Sequence, residues 1–379
     1  MTATIAWKNL LHDPVRALTA LAGVVFAVVL VVLQVGILVG SMKAASAVID
    51  HSRADVWVTS PNADNFDFGH SIPERRFYQV LGTPGVARAE RMILAWGQWD
   101  THDGRQQSVL VVGLEPDARL AGPWEVVEGD SSLLRSPGGI AIDERERDRY
   151  GGEGRALGLG DDVEINGRRA TVVAFTRGVG SFTTIPYVFA TLDNAVEYLN
   201  DFGPDRVSYV LATASPGVDP ETLAARLSAL PEVEVLTTRQ YSNRTRRYWI
   251  IDTGMGAGLI LTGVLGLVVG TVIVSQTIYA MTVEKRREFG TLKALGYSAG
   301  SLARIVLVQS AVLGAVGYVV GLGASDVVQG FAQRRGVTVE LSPEIAAGAA
   351  VLTALVCSIA SLSSIWRLAG MEPAMVFRE

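Results

Sequence analysis

The stretch Glu284–Tyr297 reads Glu-Lys-Arg-Arg-Glu-Phe-Gly-Thr-Leu-Lys-Ala-Leu-Gly-Tyr and lies between two long apolar runs. Its first five residues are all charged, and Phe289 and Leu292 follow them at helical spacing. A short amphipathic helix is the simplest structure for such a segment. We assign residues 284–300 to a surface helix and its connections, and the organisation of the chain follows from the apolar runs around it.

Four apolar runs are each longer than the roughly 20 residues that cross a hydrocarbon core of about 30 Å. Buried helices of a soluble protein seldom run this long with so few charges. The sequence therefore predicts a membrane protein, α-helical with four transmembrane helices, and a mixed α/β extracytoplasmic domain inserted between helices 1 and 2. The predicted spans are 17–42, 251–283, 301–331 and 344–366.

The first run also has features of a signal peptide, since Lys8 and Arg16 precede it and Ala45-Ser46-Ala47 resembles a cleavage site. A signal peptide has an apolar region of about 7–15 residues, and this run is longer. We expect a retained transmembrane helix, preceded at 1–16 by a short amphipathic helix on the cytoplasmic surface.

Positive charges in short flanks indicate the orientation, because such residues stay on the cytoplasmic side. Most of them fall on one side of a four-span chain: Lys8, Arg16, Lys285, Arg286, Arg287, Lys293, Arg304, Arg367 and Arg378. A smaller group opposes this assignment: Lys43, Arg244, Arg246, Arg247, Arg334 and Arg335. We predict a bacterial inner-membrane protein with both termini, including the tail 367–379, in the cytoplasm, and with 43–250 and the short loop 332–343 outside.

The external region contains no cysteine, because the only one is Cys357 in the fourth span. The fold of this region must therefore rest on its own core rather than on disulfides. We predict an inner part at 43–120 and 206–250 and an inserted subdomain at about 121–205. Asn166-Gly167 lies between two segments in which apolar and polar residues alternate, and this pattern predicts a hairpin. Residues Gln240–Trp249 are predicted to form a helical stalk that enters the second span.

Pairs of glycines four residues apart occur in three of the spans and favour close helix packing in lipid. These predicted packing residues are Gly36, Gly40, Gly266, Gly270, Gly317 and Gly321.

No catalytic constellation is evident. The chain has no Gly-Lys dipeptide and so no phosphate-binding loop of the usual kind. The histidines (His12, His51, His70 and His102) have no metal-site spacing. Gly296-Tyr297-Ser298-Ala299-Gly300 fits the nucleophile-elbow pattern, but a helical pattern rather than a strand precedes it. Residues 144–149 alternate in charge, as on a solvated helical face, and Asp326 is the only acidic candidate for an ion path.

Glu288–Tyr297 resembles the E-x-[GA]-x-L-K-A-[LM]-G segment of MacB/FtsX-type permeases of ABC transporters. Ala6–Leu11 and Glu372-Pro373-Ala374 resemble the family's two ends, and the four-span layout is similar too. Within the superfamily, the DevC-type permeases are the most similar. That likeness rests on Ser60-Pro61, Arg75–Gly82, Gly85-Val86, Trp99, Val112–Pro116, Tyr248-Trp249 and Gly270–Val274.

The resemblance implies a homodimeric permease with two copies of a cytoplasmic ATPase, which would bind the ATP, so that the chain itself needs no cofactor or metal. It also implies export of a lipid, glycolipid or other amphiphile by mechanotransmission, with a periplasmic adaptor and an outer-membrane channel. An FtsX-like transducer that regulates an external enzyme such as a cell-wall hydrolase is the alternative. We expect no enzymatic activity and no nucleic-acid partner.

By the same resemblance, the ATPase docks on the helix within 284–300. The residues assigned to this coupling are Glu288, Phe289, Gly290, Leu292, Lys293, Leu295 and Gly296. The apolar spacing of Phe289, Leu292 and Ala294 or Leu295 fits a helix seated in a partner's groove. An ordinary surface helix at the lipid headgroups has the same pattern.

Overall fold

The computed structural model describes residues 14–101, 103–152, 154–181, 183, 185–199, 202–203, 205–333 and 337–369. The predicted amphipathic helix at 1–16 and the tail at 367–379 fall largely outside these residues. The contacts divide the chain into two units: Met1–Gly40 with Gly256–Glu379, called the membrane unit here, and Ser41–Met255, called the external unit.

Eleven α-helices are present in the described part of the chain. They are α1 (Pro14–Ala45), α2 (Ala47–Asp50), α3 (Arg75–Leu81), α4 (Arg147–Tyr150), α5 (Leu192–Tyr198), α6 (Pro220–Leu227), α7 (Thr238–Arg247), α8 (Met255–Glu284), α9 (Arg286–Ala294), α10 (Ala299–Gln333) and α11 (Pro343–Ala369).

The helices α1, α8, α10 and α11 are long and apolar enough to cross a membrane. The four predicted helices and the α/β domain between the first two are thereby confirmed. The second of them begins at Met255 rather than at residue 251, because Tyr248–Asp252 forms a π-helical turn and Gly254 has a φ of +74°. Glycine adopts such an angle without the steric cost that other residues incur.

Glycines bring α1 into close contact with two other spans. A Cβ atom at Gly270 of α8 would lie 2.5 Å from Cβ of Ala27, and one at Gly317 of α10 would lie 2.5 Å from Cγ1 of Val24. Gly266 and Gly321 approach Leu30 and Val28 of α1 in the same way, at 3.0 and 2.8 Å. Any larger side chain at these four positions would push the helices apart.

Gly36 and Gly40 pack differently from the prediction, since their close neighbours are not on a helix. A Cβ atom at Gly36 would lie 2.7 Å from the carbonyl oxygen of Glu340, and one at Gly40 would lie 2.6 Å from that of Thr338. The amide of Glu340 also donates to the carbonyl of Gly36 at 3.0 Å. These two glycines therefore hold the extended segment before α11 against α1.

Twelve strands are present among the described residues of the external unit. They are β1 (Val56–Thr59), β2 (Ile72–Pro73), β3 (Val86–Asp100), β4 (Gln106–Leu114), β5 (Val126–Gly129), β6 (Gly139–Asp143), β7 (Asp162–Ile165), β8 (Arg168–Thr176), β9 (Tyr187–Thr191), β10 (Arg206–Val207), β11 (Tyr209–Ala214) and β12 (Glu234–Thr237).

Ten of these strands form one sheet in the order β12-β1-β11-β3-β4-β9-β6-β8-β5, with β7 pairing with both β3 and β8. The pairs β4/β9 and β6/β8 are parallel and the others are antiparallel. Residues 121–205 therefore do not form a separate sheet, because β9 joins β4 and β7 joins β3. The predicted subdomain at about 121–205 is continuous with the inner part.

Local sequence explains several elements of this unit. Asn166 and Gly167 have positive φ angles of 50° and 72° and connect β7 to β8, as their hairpin signal predicts. The carboxylate of Asp219 caps α6. The charged stretch 144–149 is not simply a solvated face, because the guanidinium of Arg147 lies 3.7 Å from the ring centroid of Phe175.

Aromatic side chains fill the core on one side of the sheet. Trp57 is fully buried, and its ring centroid lies 5.9 Å from Phe66, 5.6 Å from Tyr209 and 5.7 Å from Tyr241. The hydroxyl of Tyr209 donates to the carbonyl of Phe66 at 2.6 Å. The loop between β1 and β2 is thus held against the sheet by buried aromatic groups.

The two ends of the external unit are joined to each other by polar contacts. The guanidinium of Arg246 in α7 donates to Oγ of Ser46 at 2.8 Å and to the carboxylate of Asp50 in α2 at 2.5 Å. The predicted stalk Gln240–Trp249 is helical up to Arg247 and continues as the π-helical turn. The segment after α1 and the segment before α8 are therefore connected within this unit.

Candidate functional site: the short helix between the second and third spans

The helix α9 is set apart from its neighbours at both ends. Lys285 breaks the helical geometry after α8, with φ of −87° and ψ of 16°. At the other end Gly296 has a φ of +93°, and the amide of Tyr297 donates to the carbonyl of Leu292 at 3.1 Å. This is the glycine-terminated helix end in which orphan carbonyls are satisfied locally. The Gly296 position of the sequence pattern is thus a turn residue.

One side of α9 is buried in the membrane unit. Phe289 is only 3% exposed and belongs to the apolar cluster that includes Leu302 and Val306 of α10. Gly290 is buried, and Leu292 packs against the same cluster. The chain's own helices therefore cover the ring of Phe289, and its insertion into a partner's groove stays a prediction.

The opposite side of α9 is open to solvent. Its exposed residues are Arg287, Glu288, Thr291 and Ala294, and together with the exposed Leu295, which directly follows the helix, we call them the outer face of α9. Leu295 is 73% exposed. Thr291 was missed by the sequence analysis, although it lies three positions after Glu288 on the same helix, and Ala294 was named only as an alternative to Leu295 in the apolar spacing.

Charge at this end of the membrane unit is paired. Arg16 near the start of α1 forms an ion pair with Glu284 at the end of α8. Nζ of Lys285 lies 3.8 Å from the carboxylate of Glu288. Lys293 is half-buried, rather than on the outer face. The start of α1 and the end of α8 are therefore close together, and the first turn of α9 carries both signs of charge.

The serine of the nucleophile-elbow pattern serves a structural role. Oγ of Ser298 accepts a hydrogen bond from the amide of Ser301 at 3.2 Å, which caps the start of α10. The segment before it is the helix α9 and not a strand. Within the described residues, no group of three or more histidine, cysteine or acidic side chains could hold a metal ion.

Several buried polar groups within the spans are satisfied by their own helix, whereas Oε1 of Gln34 and Oγ of Ser364 are buried without a described hydrogen-bond partner. Oγ of Ser310 donates to the carbonyl of Leu307 at 3.0 Å, and Oγ of Ser325 donates to that of Gly321 at 2.8 Å. Asp326 is exposed rather than enclosed among the helices. These contacts are those of helix packing, and they provide no support for an ion path.

The four apolar helices and the inserted α/β domain define a multi-span membrane protein with an extracytoplasmic domain. Family models match the two parts separately. The MacB-like periplasmic core domain matches residues 17–230, and the FtsX-like permease C-terminal domain matches residues 260–373. The chain belongs to the ABC transporter permease family of the MacB/FtsX type, as the motif in 284–297 indicated.

Individual relatives are distant. An uncharacterized ABC transporter permease from Methanocaldococcus jannaschii is 24% identical over 216 residues, and the match covers 53% of each chain. The chain thus spans about half the length of this curated relative.

Two solved structures each match about half of the chain. The periplasmic region of MacB from Actinobacillus actinomycetemcomitans is 10% identical, with a TM-score of 0.37, and the match covers 50% of this chain and 92% of that one. The extracellular domain of the noncanonic ABC-type transporter YknZ from Gram-positive bacteria is 14% identical, with a TM-score of 0.34. The match covers 48% of this chain and 100% of that one.

Proposed function

We propose that the chain is the membrane subunit of an ABC export system whose ATP is bound and hydrolysed by a separate cytoplasmic subunit. The observation that carries this proposal is the two-sided helix α9. Its inner side is anchored by Phe289 among the apolar residues of the membrane unit, and its outer face presents Glu288, Thr291 and Leu295. A helix whose inner side is anchored among the spans and whose outer face is exposed can transmit a movement of a bound partner to the spans.

The proposed assembly contains two copies of the chain and two ATPase subunits. The exposed apolar surface of α8 supports pairing of two chains, because only 17% of its most apolar window is buried within this chain. Movement imposed at α9 would pass along the spans to the external unit. Such mechanotransmission needs no catalytic residue in this chain, and the purified chain should hydrolyse no ATP.

Substitution on the outer face tests the docking proposal. Leu295→Asp should abolish co-purification of ATPase activity with the tagged chain from native membranes, while the yield of folded chain stays unchanged, because Leu295 contacts solvent. Glu288→Arg should weaken co-purification as well. Retention of ATPase activity with Leu295→Asp would refute the assignment of the outer face.

Phe289→Ala is the contrasting variant. It should destabilise the membrane unit by about 3–5 kcal/mol, as expected for truncation of a buried phenylalanine. The co-purified ATPase activity and the yield of folded chain should therefore fall together. A well-folded Phe289→Ala chain that loses only the ATPase would place the docking contact on this ring instead.

We further propose that both termini and α9 lie in the cytoplasm of a bacterial cell, and that the external unit lies outside the inner membrane. The excess of positive charges in the short flanks on this side supports this orientation. A cysteine at the exposed position Thr291 should react with a membrane-impermeant maleimide only after the membrane is permeabilised. Cys357 is buried and gives little background. Labelling in intact cells would reverse the topology.

The proposed cargo is a lipid, glycolipid or other amphiphile, delivered with a periplasmic adaptor and an outer-membrane channel as in DevC-type systems. The motifs shared with DevC-type permeases support this subtype. Mass spectrometry of lipids and proteins that co-purify with the chain would test it. Purification with a cell-wall hydrolase and no adaptor would contradict export.

A further inference from the structure

A groove of about 610 Å³ lies at one end of the external sheet. Its lining includes Trp96, Gln98, Asp100, Gln106, Asn166 and Phe202. The volume falls within the range of about 300–1,000 Å³ that is typical of small-molecule sites.

The edge of strand β3 is open inside this groove. On this side, β11 pairs with β3 only as far as Met92, and β7 pairs with it from Trp99 onward. The amides of Leu94 and Gln98, which flank the gap, donate to Oγ of Ser208 and Oδ1 of Asn166, both at 2.8 Å. Alternate residues of an antiparallel strand direct their backbone groups to the same side. The backbone of Trp96 therefore faces the gap, where no described strand pairs with it.

Side chains on the same strand add further hydrogen-bonding groups. Trp96, Gln98 and Asp100 are two residues apart and so project from one face of β3. The amide of Gln106 donates to the carboxylate of Asp100 at 2.9 Å. The groove thus combines an indole ring with amides that both donate and accept.

An aromatic patch continues from the groove. The ring of Phe68 stacks on Trp96, with centroids 6.0 Å apart and planes at 21°, and the ring centroid of Trp249 also lies 6.0 Å from that of Phe68. Phe68 and Trp96 are 45% and 42% exposed. A polar groove and an apolar patch therefore share Trp96 and form a single amphiphilic surface.

The chemistry of this surface selects among ligands. Among the described residues that line the groove, Asp100 is the only ionisable one, so an anionic headgroup would meet a like charge there. The open edge offers a single residue's donor and acceptor, which is too short for an added peptide strand. An uncharged ring with hydroxyl groups matches the amides at its rim and the indole at its face.

We propose that this groove binds the headgroup of an uncharged, hydroxyl-bearing amphiphile such as a sugar lipid, with Trp96 stacking on the ring. The apolar part of the ligand lies on the patch formed by Phe68, Trp96 and Trp249. The identification of this ligand as cargo rests on the proposed export function, whereas the binding itself does not.

Fluorine NMR on the full chain in lipid nanodiscs tests this site. The tryptophans are replaced by fluorotryptophan, and the Trp96 signal is assigned by its loss in Trp96→Phe. Hexyl β-glucoside should shift the Trp96 signal saturably, while the signals of Trp57 and Trp99, which are fully buried, stay in place. The hexyl ether of triethylene glycol, which carries the same alkyl chain without a sugar, should bind at least about tenfold more weakly.

Saturation-transfer difference NMR of hexyl β-glucoside measures the variants. Trp96→Ala should weaken binding about tenfold and Gln98→Ala about threefold. Tyr78→Ala removes another exposed aromatic side chain, 61% exposed on α3, and should leave binding unchanged.

Three results would overturn the proposal: no saturable shift, equal binding of the glycol ether, or equal loss of binding with Tyr78→Ala. None of them bears on the docking of the ATPase at α9, which is measured separately by co-purification. Conversely, if ATPase docking on α9 were refuted, the binding of hexyl β-glucoside to the groove would still stand.

Discussion

The membrane unit and the external unit are stabilised in different ways. Close approaches in the membrane unit are made by glycines, such as Gly270 against Ala27 and Gly317 against Val24. In the external unit the corresponding role belongs to large rings, with Trp57 in contact with three other aromatic residues. Ion pairs, such as those of Arg91 with Glu74 and Glu115, are also concentrated there.

The solvent explains this difference. In water, burial of large apolar rings is itself the driving force, so the external unit gains most from its largest side chains. Lipid tails are as apolar as leucine, so the membrane helices gain little from hydrophobic burial and associate through close packing. Removal of bulk should therefore damage the external unit most, and addition of bulk should damage the membrane unit most.

The largest effect is expected from Trp57→Ala. Truncation of a buried tryptophan costs about 3–5 kcal/mol, so the external unit should lose its fixed structure while the spans remain helical. Tryptophan fluorescence during denaturation of the full chain in detergent, compared with far-ultraviolet circular dichroism, measures the two units separately. Trp96→Ala, at a half-exposed tryptophan of the same unit, should cost about 1 kcal/mol or less. Equal losses from the two variants would contradict the role of the aromatic core.

The next largest effect is a dependence of the free energy of unfolding on pH, which arises in the external unit. Burial raises the pKa of Asp67 to about 6, although hydrogen bonds from Tyr187 and Ser181 partly oppose this. A carboxyl group whose pKa is higher in the folded than in the unfolded state stabilises the folded state most at pH values at which it is protonated. The free energy of unfolding should therefore fall by about 2 kcal/mol, through this group, as the pH rises from about 4.5 to about 7.5.

Asp67→Asn should remove this contribution, which is measured as the difference in unfolding free energy between the variant and the unchanged chain at the two pH values. Asp117→Asn, at a side chain 81% exposed, should keep the pH dependence of the unchanged chain. A pH dependence that is the same in Asp67→Asn as in the unchanged chain would show that the buried carboxyl is not its source.

Added bulk in the membrane unit should have an effect of similar or smaller size. Gly317→Val would push against Val24 and should cost about 1–3 kcal/mol by overpacking. Gly323→Val is the matched control on the same helix, because no atom lies within 4 Å of a Cβ at that position. Helix unfolding of the detergent-solubilised chain by sodium dodecyl sulfate measures both variants. If they unfold alike, close packing at Gly317 does not stabilise the unit.

Much of the fold could be predicted from local sequence. Four spans follow from hydropathy, since length and apolar composition suffice to define a membrane-crossing helix. The hairpin at Asn166-Gly167 follows because two adjacent positive φ angles favour these residue types. The continuity of the sheet could not be predicted, because the pairing of β4 with β9 joins residues more than 70 positions apart.

The candidate site was only partly predictable for a related reason. The motif located α9, and helical spacing placed Phe289 and Leu292 on one apolar side. The spacing does not say which neighbour covers that side, because the same helical spacing of apolar residues fits the chain's own helices and a partner's groove. The structure shows Phe289 among its own helices and leaves Glu288 and Leu295 outside.

The sequence by itself determined the class of the protein, the number of its spans and the position of α9. These features depend on composition and local spacing, which the chain carries whatever its neighbours are. Only the tertiary structure decided which side of α9 is available, that Gly36 and Gly40 pack against the segment before α11, and that no described strand pairs with β3 at Trp96. Each of these depends on which distant residues meet, and that is settled by packing.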